Sequence, residues 1–285
     1  MVKKIVVAGA GTMGSGIAMA AAQAGYPVVL YDTNESVLAK AKVSISNNLS
    51  FLVEKQKITE VESKNISGLV LFSNNIDDCK ADLIIEAIVE IMEAKIDLFK
   101  RLAAINSDES IFASNTSSLS INELQQNIAG PQRMAGMHFF NPAQIMKLVE
   151  VVKGEATSEP VTTELLNVCT QMNKTPVLCS DAPGFIVNRV ARHYYLEAMK
   201  LVELDIATFE NVDEIMEASG FKMGPFRLMD LIGMDINLAV SESLYKAFNN
   251  EPRFRPSDIQ KQKVFKKELG KKTGKGFYTY NAEKK

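Results

Sequence analysis

Residues 3–25 read KKIVVAGAGTMGSGIAMAAAQAG, an apolar run followed by closely spaced glycines and then by alanines. Its start, KKIVVAG, is a short β-branched run typical of a strand buried on both faces. The alanine-rich part beyond residue 14 predicts a helix that stops at Gly25. Between strand and helix stand Gly9, Gly11 and Gly14, spaced as G-x-G-x-x-G, and a second apolar run ends at Asp32 about twenty residues later. Strand, glycine turn, helix and acid together form the full fingerprint of a dinucleotide-binding unit.

Each part of this fingerprint has its own physical task. The first glycine permits a tight turn, the second lets the backbone approach a pyrophosphate, and the third lets helix and strand pack closely. The N–H groups at the helix start, at Thr12 and Met13, face the phosphate charge. Asp32 can accept hydrogen bonds from both ribose hydroxyls, whereas its charge repels a 2′-phosphate. The following residues 33–35, Thr-Asn-Glu, offer no arginine for such a phosphate, so the sequence predicts NAD and not NADP.

Composition narrows the class of protein. The chain has 285 residues, 46% of them hydrophobic, and a net charge of −2, which is unlike the basic footprint of a nucleic-acid binder. No run of about eighteen apolar residues occurs, since the segment LIIEAIVEIM is broken by Glu86 and Glu90, so we expect no membrane span. The start of the chain imitates a secretory signal, but its glycines fit the nucleotide fingerprint better. Three cysteines without paired spacing predict reduced thiols in a cytoplasmic protein, with neither disulfides nor a metal site.

Helical and strand patterns alternate beyond Asp32. A helical stretch, ESVLAKAKVSISNNLSFLVEKQ, is followed by the strand ADLIIEAIV, the helix MEAKIDLFKRLAAI, and the strands SIFASNTSS, MAGMHFFNP and KLVEVVKG. Such alternation predicts an α/β fold with a Rossmann-type, doubly wound and mainly parallel sheet. Ligands bind outside the carboxyl ends of such strands. Asp32, Glu90, the SNTSS tip and His138 all fall near predicted strand ends, so we expect them to converge.

The pattern changes at SDAPGFIVNRV, where Pro183 and Gly184 break it. The segments beyond it are mostly helical in period: FIVNRVARHYYLEAMKLVE, NVDEIMEASG and LMDLIGMDINLAVSESLYKAF. The sequence therefore predicts an N-terminal nucleotide-binding domain over residues 1–184 and an all-helical domain over residues 185–285.

One glutamate stands in an unusual place. Glu150 interrupts the apolar run of residues 148–152, where a carboxylate is costly to bury unless it has a partner. His138, one of only two histidines, lies twelve residues earlier among apolar neighbours. The stretch thus raises the question whether these two side chains pair. The second histidine, His193, has no evident partner, and we interpret it as structural.

Eight motifs occur in an order and spacing that resemble the short-chain L-3-hydroxyacyl-CoA dehydrogenases, in particular the bacterial 3-hydroxybutyryl-CoA dehydrogenases of butyrate-type metabolism. The resemblance covers nearly the whole chain. The motifs are GAGTMGSGIA (9–18), EAIVE (86–90), SNTSSLSI (114–121), HFFNP (138–142), KLVEVV (147–152), DAPGFIVNR (181–189), MGPF (223–226) and KKTGKGFY (271–278).

This resemblance implies an NAD-dependent oxidoreductase that interconverts (S)-3-hydroxybutyryl-CoA and acetoacetyl-CoA in butyrate or fatty-acid metabolism. It also implies a homodimer made by the helical domain. His138 would be the base that takes the hydroxyl proton, because an imidazole titrates near working pH, and Glu150 would orient it. Ser117 and Asn188 would hydrogen-bond the substrate oxygen.

The remaining site residues are also carried over by resemblance. Glu90, Lys95 and Asn141 match cofactor-contacting positions, as does Ser117. Lys272 matches such a position less closely, and a solvated surface lysine is an equal alternative there. Lys55 matches a lysine that meets the CoA moiety, with plain surface as the equal alternative.

Departures from the family pattern bear on acyl chain-length preference, CoA contacts and domain packing and leave the reaction class intact; one of them is the segment ELDIATFENVDEI, which lacks the usual acidic-glycine pattern. Asn48 stands where some relatives have a serine that touches CoA, and Arg227 stands where an acid is expected. Three alternatives stay open on the same fold: a dehydrogenase of a free 3-hydroxy acid, a β-hydroxyacid dehydrogenase with a catalytic lysine, and a non-catalytic relative. The first would not need Lys55. The other two are disfavoured because His138, Glu150 and Asn188 are all present.

Overall fold

The computed structural model describes residues 1–280 and divides into two compact units, the first from Met1 to Ala182 and the second from Pro183 onward. The first unit is an α/β layer structure and the second is helical.

The first unit is built on one sheet. Its strands follow the spatial order β3-β2-β1-β4-β5-β6-β7-β8, and those from β3 to β6 are all parallel. β7 runs antiparallel to β6, and β8 runs parallel to β7. This arrangement confirms the predicted doubly wound, mainly parallel sheet. The strands are β1 Ile5–Ala8, β2 Val28–Tyr31, β3 Val70–Ser73, β4 Leu83–Glu86, β5 Ile111–Ser114, β6 Met134–Phe139, β7 Leu148–Lys153 and β8 Thr175–Ser180.

Helices cover the sheet, and their small residues set how closely they approach it. The helices are α1 Thr12–Gln23, α2 Glu35–Glu54, α3 Glu60–Gly68, α4 Met92–Ile105, α5 Ile121–Gln125 and α6 Glu159–Gln171. Every residue of α1 from Gly14 to Ala22 is buried, because glycine, serine and alanine let the helix backbone lie against the strands. All four residues of β1, β2, β4 and β5 are buried, as expected for parallel strands covered on both faces.

The sequence did not predict two of these strands, β3 and β8. They are the two edges of the sheet, and the side chains of β8 are mostly exposed. An edge strand lacks the continuous apolar run of a central one, and it tolerates Pro176. The helical stretch after Asp32 ends at Lys55, and a separate helix α3 begins after Thr59, whose side chain forms a capping box with Glu62.

The second unit consists of α7 Val187–Glu203, α8 Phe209–Ala218, α9 Pro225–Ile232, α10 Met234–Ala247 and α11 Asp258–Phe265. The predicted long helical pattern over residues 228–248 is two helices, because Gly233 at φ 103° separates them. Within residues 1–280, no helix is both long enough and apolar enough to cross a membrane.

Two buried aspartates organise this second unit. Asp213 accepts hydrogen bonds from the N–H groups of Phe226 and Arg227 at the start of α9. Asp230 accepts them from the N–H groups of Phe277 and Tyr278. A Cβ on Gly276 would stand 2.0 Å from Asp230 Oδ1, so this glycine is required for the close approach. The KKTGKGFY motif therefore wraps the chain around Asp230.

Arg227, where the resemblance led us to expect an acid, has a local partner. Its guanidinium lies 3.0 Å from Glu217 Oε1 and 5.0 Å from the centroid of the Tyr278 ring. The departure is thus accommodated inside the helical unit.

Candidate active site

The glycine loop joins β1 to α1 at the point where the strand order reverses between β1 and β4. Gly9 has φ +108°, and a Cβ there would stand 2.5 Å from the Ala87 carbonyl oxygen. A Cβ on Gly14 would stand 1.7 Å from the Gly9 carbonyl oxygen. Both glycines are therefore required by the packing of the protein itself. In contrast, nothing lies within 4 Å of a Cβ placed on Gly11. That open space is what close approach of a pyrophosphate requires, so the loop fits a dinucleotide.

Asp32 follows β2 directly and lies against this loop. One carboxylate oxygen accepts a hydrogen bond from Ala10 N–H at 2.9 Å, and the other accepts one from Asn34 N–H at 2.9 Å. The acid is thus held beside the turn at the carboxyl end of the neighbouring strand, as the fingerprint requires. Its bonds to ribose hydroxyls remain a prediction.

A cavity of about 280 Å³ opens beside the glycine loop. It is bounded by the start of α1, by one face of α2 and by the segment after β6. Thr12 belongs to its wall, and so do Asn48 and Asn141, the predicted CoA-side and cofactor-side positions. Its other lining residues include Gly11, Ser15, Gly16, Lys40, Ser44, Pro142 and Gln144.

His138 and Glu150 form a pair. They are opposite each other in the antiparallel register of β6 and β7, and His138 Nδ1 lies 2.7 Å from Glu150 Oε2. Glu150 is 1% exposed and His138 is 6% exposed. β7 lies inside the sheet, so this carboxylate is not an edge-strand charge. The bond holds Nδ1 toward the carboxylate, and in a His–acid pair of this geometry Nε2 is the nitrogen that exchanges the proton.

The SNTSS turn, residues 114–118, is held by hydrogen bonds to Phe139 on one side and to Glu90 on the other. Asn115 Oδ1 accepts a hydrogen bond from Phe139 N–H at 2.9 Å, which ties the turn to the residue after His138. Glu90 Oε1 accepts bonds from Thr116 Oγ1 at 2.6 Å and from Ser117 N–H at 2.8 Å. The Ser117 hydroxyl is therefore carried on a turn anchored to the histidine strand. Sequence reasoning gave no role to Asn115, although it stands inside a quoted motif.

The environment of Glu90 favours its charged form. Burial alone raises its pKa, but the attraction of Lys95 and the hydrogen bonds from Thr116 and Ser117 outweigh burial and hold the pKa below its usual value. Glu90 is therefore a charged anchor for the turn.

Lys95 lies beneath the site and is almost fully buried. Its Nζ lies 2.6 Å from Glu86 Oε1 and 3.1 Å from Glu90 Oε2. The lysine predicted to contact the cofactor is thus held between two carboxylates. Sequence reasoning did not single out Glu86 as a site residue, although it opens the EAIVE motif and carries a charge at the end of a buried strand.

The three other predicted site residues lie at the C-terminal end of helix α2 and in the helical unit. Lys55 is the exposed C-cap of α2, with Nζ 5.5 Å from the Phe51 ring centroid. Lys272 Nζ lies 2.6 Å from Asp235 Oδ2 in the helical unit. Asn188 is half-buried in the first turn of α7. Their roles toward ligands remain predictions. Across residues 1–280, no group of three histidine, cysteine or carboxylate side chains is arranged to hold a metal ion.

Comparison with known proteins bears on the whole chain. Residues 4–182 match the family model of the 3-hydroxyacyl-CoA dehydrogenase NAD binding domain, and residues 184–280 match that of the 3-hydroxyacyl-CoA dehydrogenase C-terminal domain. A probable 3-hydroxybutyryl-CoA dehydrogenase of Bacillus subtilis is 41% identical over 281 residues, 98% of this chain and 98% of that protein. The 3-hydroxyadipyl-CoA dehydrogenase of Escherichia coli is 43% identical over 99% of this chain, which spans only 60% of that relative.

A solved structure agrees with these sequence matches. The crystal structure of (S)-3-hydroxybutyryl-CoA dehydrogenase from Ralstonia eutropha has a TM-score of 0.94 to this chain at 36% identity, covering 99% of this chain and 100% of that one. The resemblance inferred from the motifs and the expected NAD cofactor are thereby confirmed. The chain belongs to the 3-hydroxyacyl-CoA dehydrogenase family and is an NAD-dependent dehydrogenase of 3-hydroxyacyl-CoA thioesters.

Proposed function

We propose that the chain interconverts (S)-3-hydroxybutyryl-CoA and acetoacetyl-CoA, with His138 as the base. The observation that carries this proposal is the buried His138–Glu150 pair at 2.7 Å, in the same unit as the glycine loop and the Ser117 turn. The four-carbon substrate is favoured by the names of the Bacillus and Ralstonia relatives.

The residues divide the work of alcohol oxidation. His138 Nε2 accepts the proton of the substrate's 3-hydroxyl group, and Glu150 stabilises the imidazolium that forms. In the reducing direction His138 returns that proton to the oxygen. Ser117 and Asn188 donate hydrogen bonds to the substrate oxygen while it carries charge. Bound NAD supplies the two-electron oxidant.

The cofactor positions follow from the loop. The pyrophosphate is held by Gly9, Gly11 and Gly14 and by the N–H groups of Thr12 and Met13. The ribose is held by Asp32. The remaining cofactor positions are Glu90, Lys95, Ser117, Asn141 and Lys272. We further propose that Lys55 binds CoA, that the chain forms a homodimer in the cytoplasm, and that it serves butyrate or fatty-acid metabolism. A mass of twice 31.4 kDa by light scattering would support the dimer.

The test is NADH oxidation with acetoacetyl-CoA, run beside free acetoacetate and beside NADPH, for wild type and His138→Gln. We expect rapid NADH-dependent turnover of the thioester and its near loss in the variant. Turnover of free acetoacetate instead would move the chain to the free-acid branch. Full activity of the variant would contradict the role of His138.

Lys55 separates thioester from free-acid recognition. We expect Lys55→Ala to raise the KM for acetoacetyl-CoA about tenfold, since it removes a phosphate partner. The exposed Lys57→Ala removes the same charge nearby and serves as the control. Equal effects of the two variants would show a general charge effect and remove Lys55 from the site.

A further inference from the structure

Glu86 is a fully buried carboxylate that the reaction scheme does not use. It ends β4, in register with Ala8 on one side and Ser114 on the other. Its exposed fraction is 0%. One oxygen accepts hydrogen bonds from Lys95 Nζ at 2.6 Å and Ile88 N–H at 2.7 Å, and the other accepts one from Ser114 Oγ at 2.6 Å. Both oxygens are satisfied, so this is a complete polar network at the centre of the sheet.

Two arms lead from Glu86 to the Ser117 turn. The first runs through Lys95, whose Nζ also contacts Glu90 Oε2 at 3.1 Å, and Glu90 in turn accepts from Ser117 N–H. The second runs through Ser114, whose Oγ accepts a hydrogen bond from Thr116 N–H at 3.3 Å. Glu86 also accepts a backbone bond from Asn115 N–H at 2.8 Å. The arms converge on residues 114–118.

Stability alone gives little reason for such a network. A buried ion pair is often no more stable than apolar side chains of similar volume, because both charges lose their hydration. Lys95 is 1% exposed, so it pays this desolvation in full. Apolar side chains could not, however, place a positive charge next to Glu90, as Lys95 does.

We propose that Glu86 is a positioning residue of the proposed reaction, which through Lys95 and Ser114 holds Glu90 and the Ser117 turn in register. The inference rests on the proposed function for its kinetic consequence, but its structural consequence is independent of any substrate. Lys95 is, in this view, the counter-ion that transmits the position of Glu86 to Glu90.

The test compares Glu86→Gln and the double variant Glu86→Met/Lys95→Met with wild type. The double variant removes both charges together and so avoids leaving a buried lysine unpaired. It still takes the acceptor away from Ile88 N–H and Ser114 Oγ, so a thermal melt must first show that it is folded. We expect kcat for acetoacetyl-CoA at saturating NADH to fall about 10–100-fold in Glu86→Gln, in which Lys95 is unchanged, while the KM for acetoacetyl-CoA changes less than about threefold. Glu93→Gln, an exposed charge on the same helix α4, is the control and should leave kcat unchanged.

A second readout needs no turnover. Amide hydrogen exchange at residues 116–118 should speed up at least about tenfold in Glu86→Gln as well as in the double variant, because in neither variant does the Glu86 carboxylate hold Lys95 against Glu90. Wild-type kcat and wild-type exchange in a folded Glu86→Gln protein would overturn the proposal. If wild type turned over no substrate, the proposed function would fail, and the exchange result would still decide whether Glu86 positions the turn.

Discussion

Among single residues of the candidate site, we expect substitutions of His138 and Glu150 to lower kcat the most. Removing a general base typically costs about 10²–10⁴ in rate, so we expect His138→Gln to lower kcat for acetoacetyl-CoA by that factor. Glu150→Gln should cost about 10² or more, because a neutral amide cannot stabilise the imidazolium. The two residues act as a unit, so the double variant should be little worse than His138→Gln alone. Steady-state kinetics on variants with the circular dichroism of wild type would check this. If the loss of kcat in the double variant equalled the product of the two single losses, the residues would act independently.

Glu90 gives a prediction about pH. Its pKa in the folded protein lies below the usual value of 4.5, so its ionised form stabilises the fold. By linkage, that contribution is complete above pH 4.5 and is lost as the pH falls through the lowered folded-state pKa. We expect the melting temperature of wild type to exceed that of Glu90→Gln at neutral pH, and the gap to shrink below pH 4.5. Thermal melts of both proteins from about pH 7 to about pH 3 would show it. A gap that stays constant over this range would rule out the titration of Glu90 as its source.

At the scale of elements, the sequence predicted the central strands and failed at the edges. β1, β2, β4 and β5 are buried on both faces and therefore have continuous apolar runs. β3 and β8 have an exposed side and lack a continuous apolar run, so hydrophobic periodicity does not identify them as strands. The partners of Glu86 could not be predicted either, because Lys95 reaches it from helix α4 and Ser114 from the neighbouring strand β5. The pairing of Glu150 was foreseeable, since an isolated carboxylate in an apolar strand needs a partner.

The glycine loop supports a paired test at this scale. Gly14→Ala forces a Cβ onto the Gly9 carbonyl oxygen, so we expect it to cost about 3 kcal/mol or more of stability. Gly11→Ala enters open space at the N-cap of α1, so its stability should stay within about 0.5 kcal/mol of wild type.

NADH binding then separates the two glycines. We expect Gly11→Ala to weaken NADH binding at least about tenfold in fluorescence titrations, since the methyl group occupies the space left for the pyrophosphate. Wild-type affinity in a folded Gly11→Ala protein would mean that the pyrophosphate does not approach this residue.

At the scale of the whole molecule, the chain is two units with separate cores. In the second unit, Asp230 holds the segment of Phe277 and Tyr278 through their N–H groups, and Tyr280 Oη also donates to it at 3.0 Å. We expect Asp230→Ala to destabilise this unit by about 3 kcal/mol, because three donors lose a charged acceptor. Glu214→Ala, an exposed change on α8, is the control. Limited proteolysis in urea would show which unit loses stability in Asp230→Ala. Cleavage confined to residues 1–182 would contradict the prediction that the second unit is the one destabilised.

The reversal of direction between β6 and β7 has a consequence for how the protein folds. Parallel neighbours need a long crossover before they can meet, but this antiparallel pair is closed by the short excursion between Phe139 and Leu148. His138 and Glu150 are only 12 positions apart in the chain. Their contact is therefore among the local ones, with a small loop-closure entropy, while the parallel ladder around β1 and β4 must wait for distant segments. The pair that we propose to handle the proton can therefore form on the nascent hairpin before the parallel part of the sheet is complete.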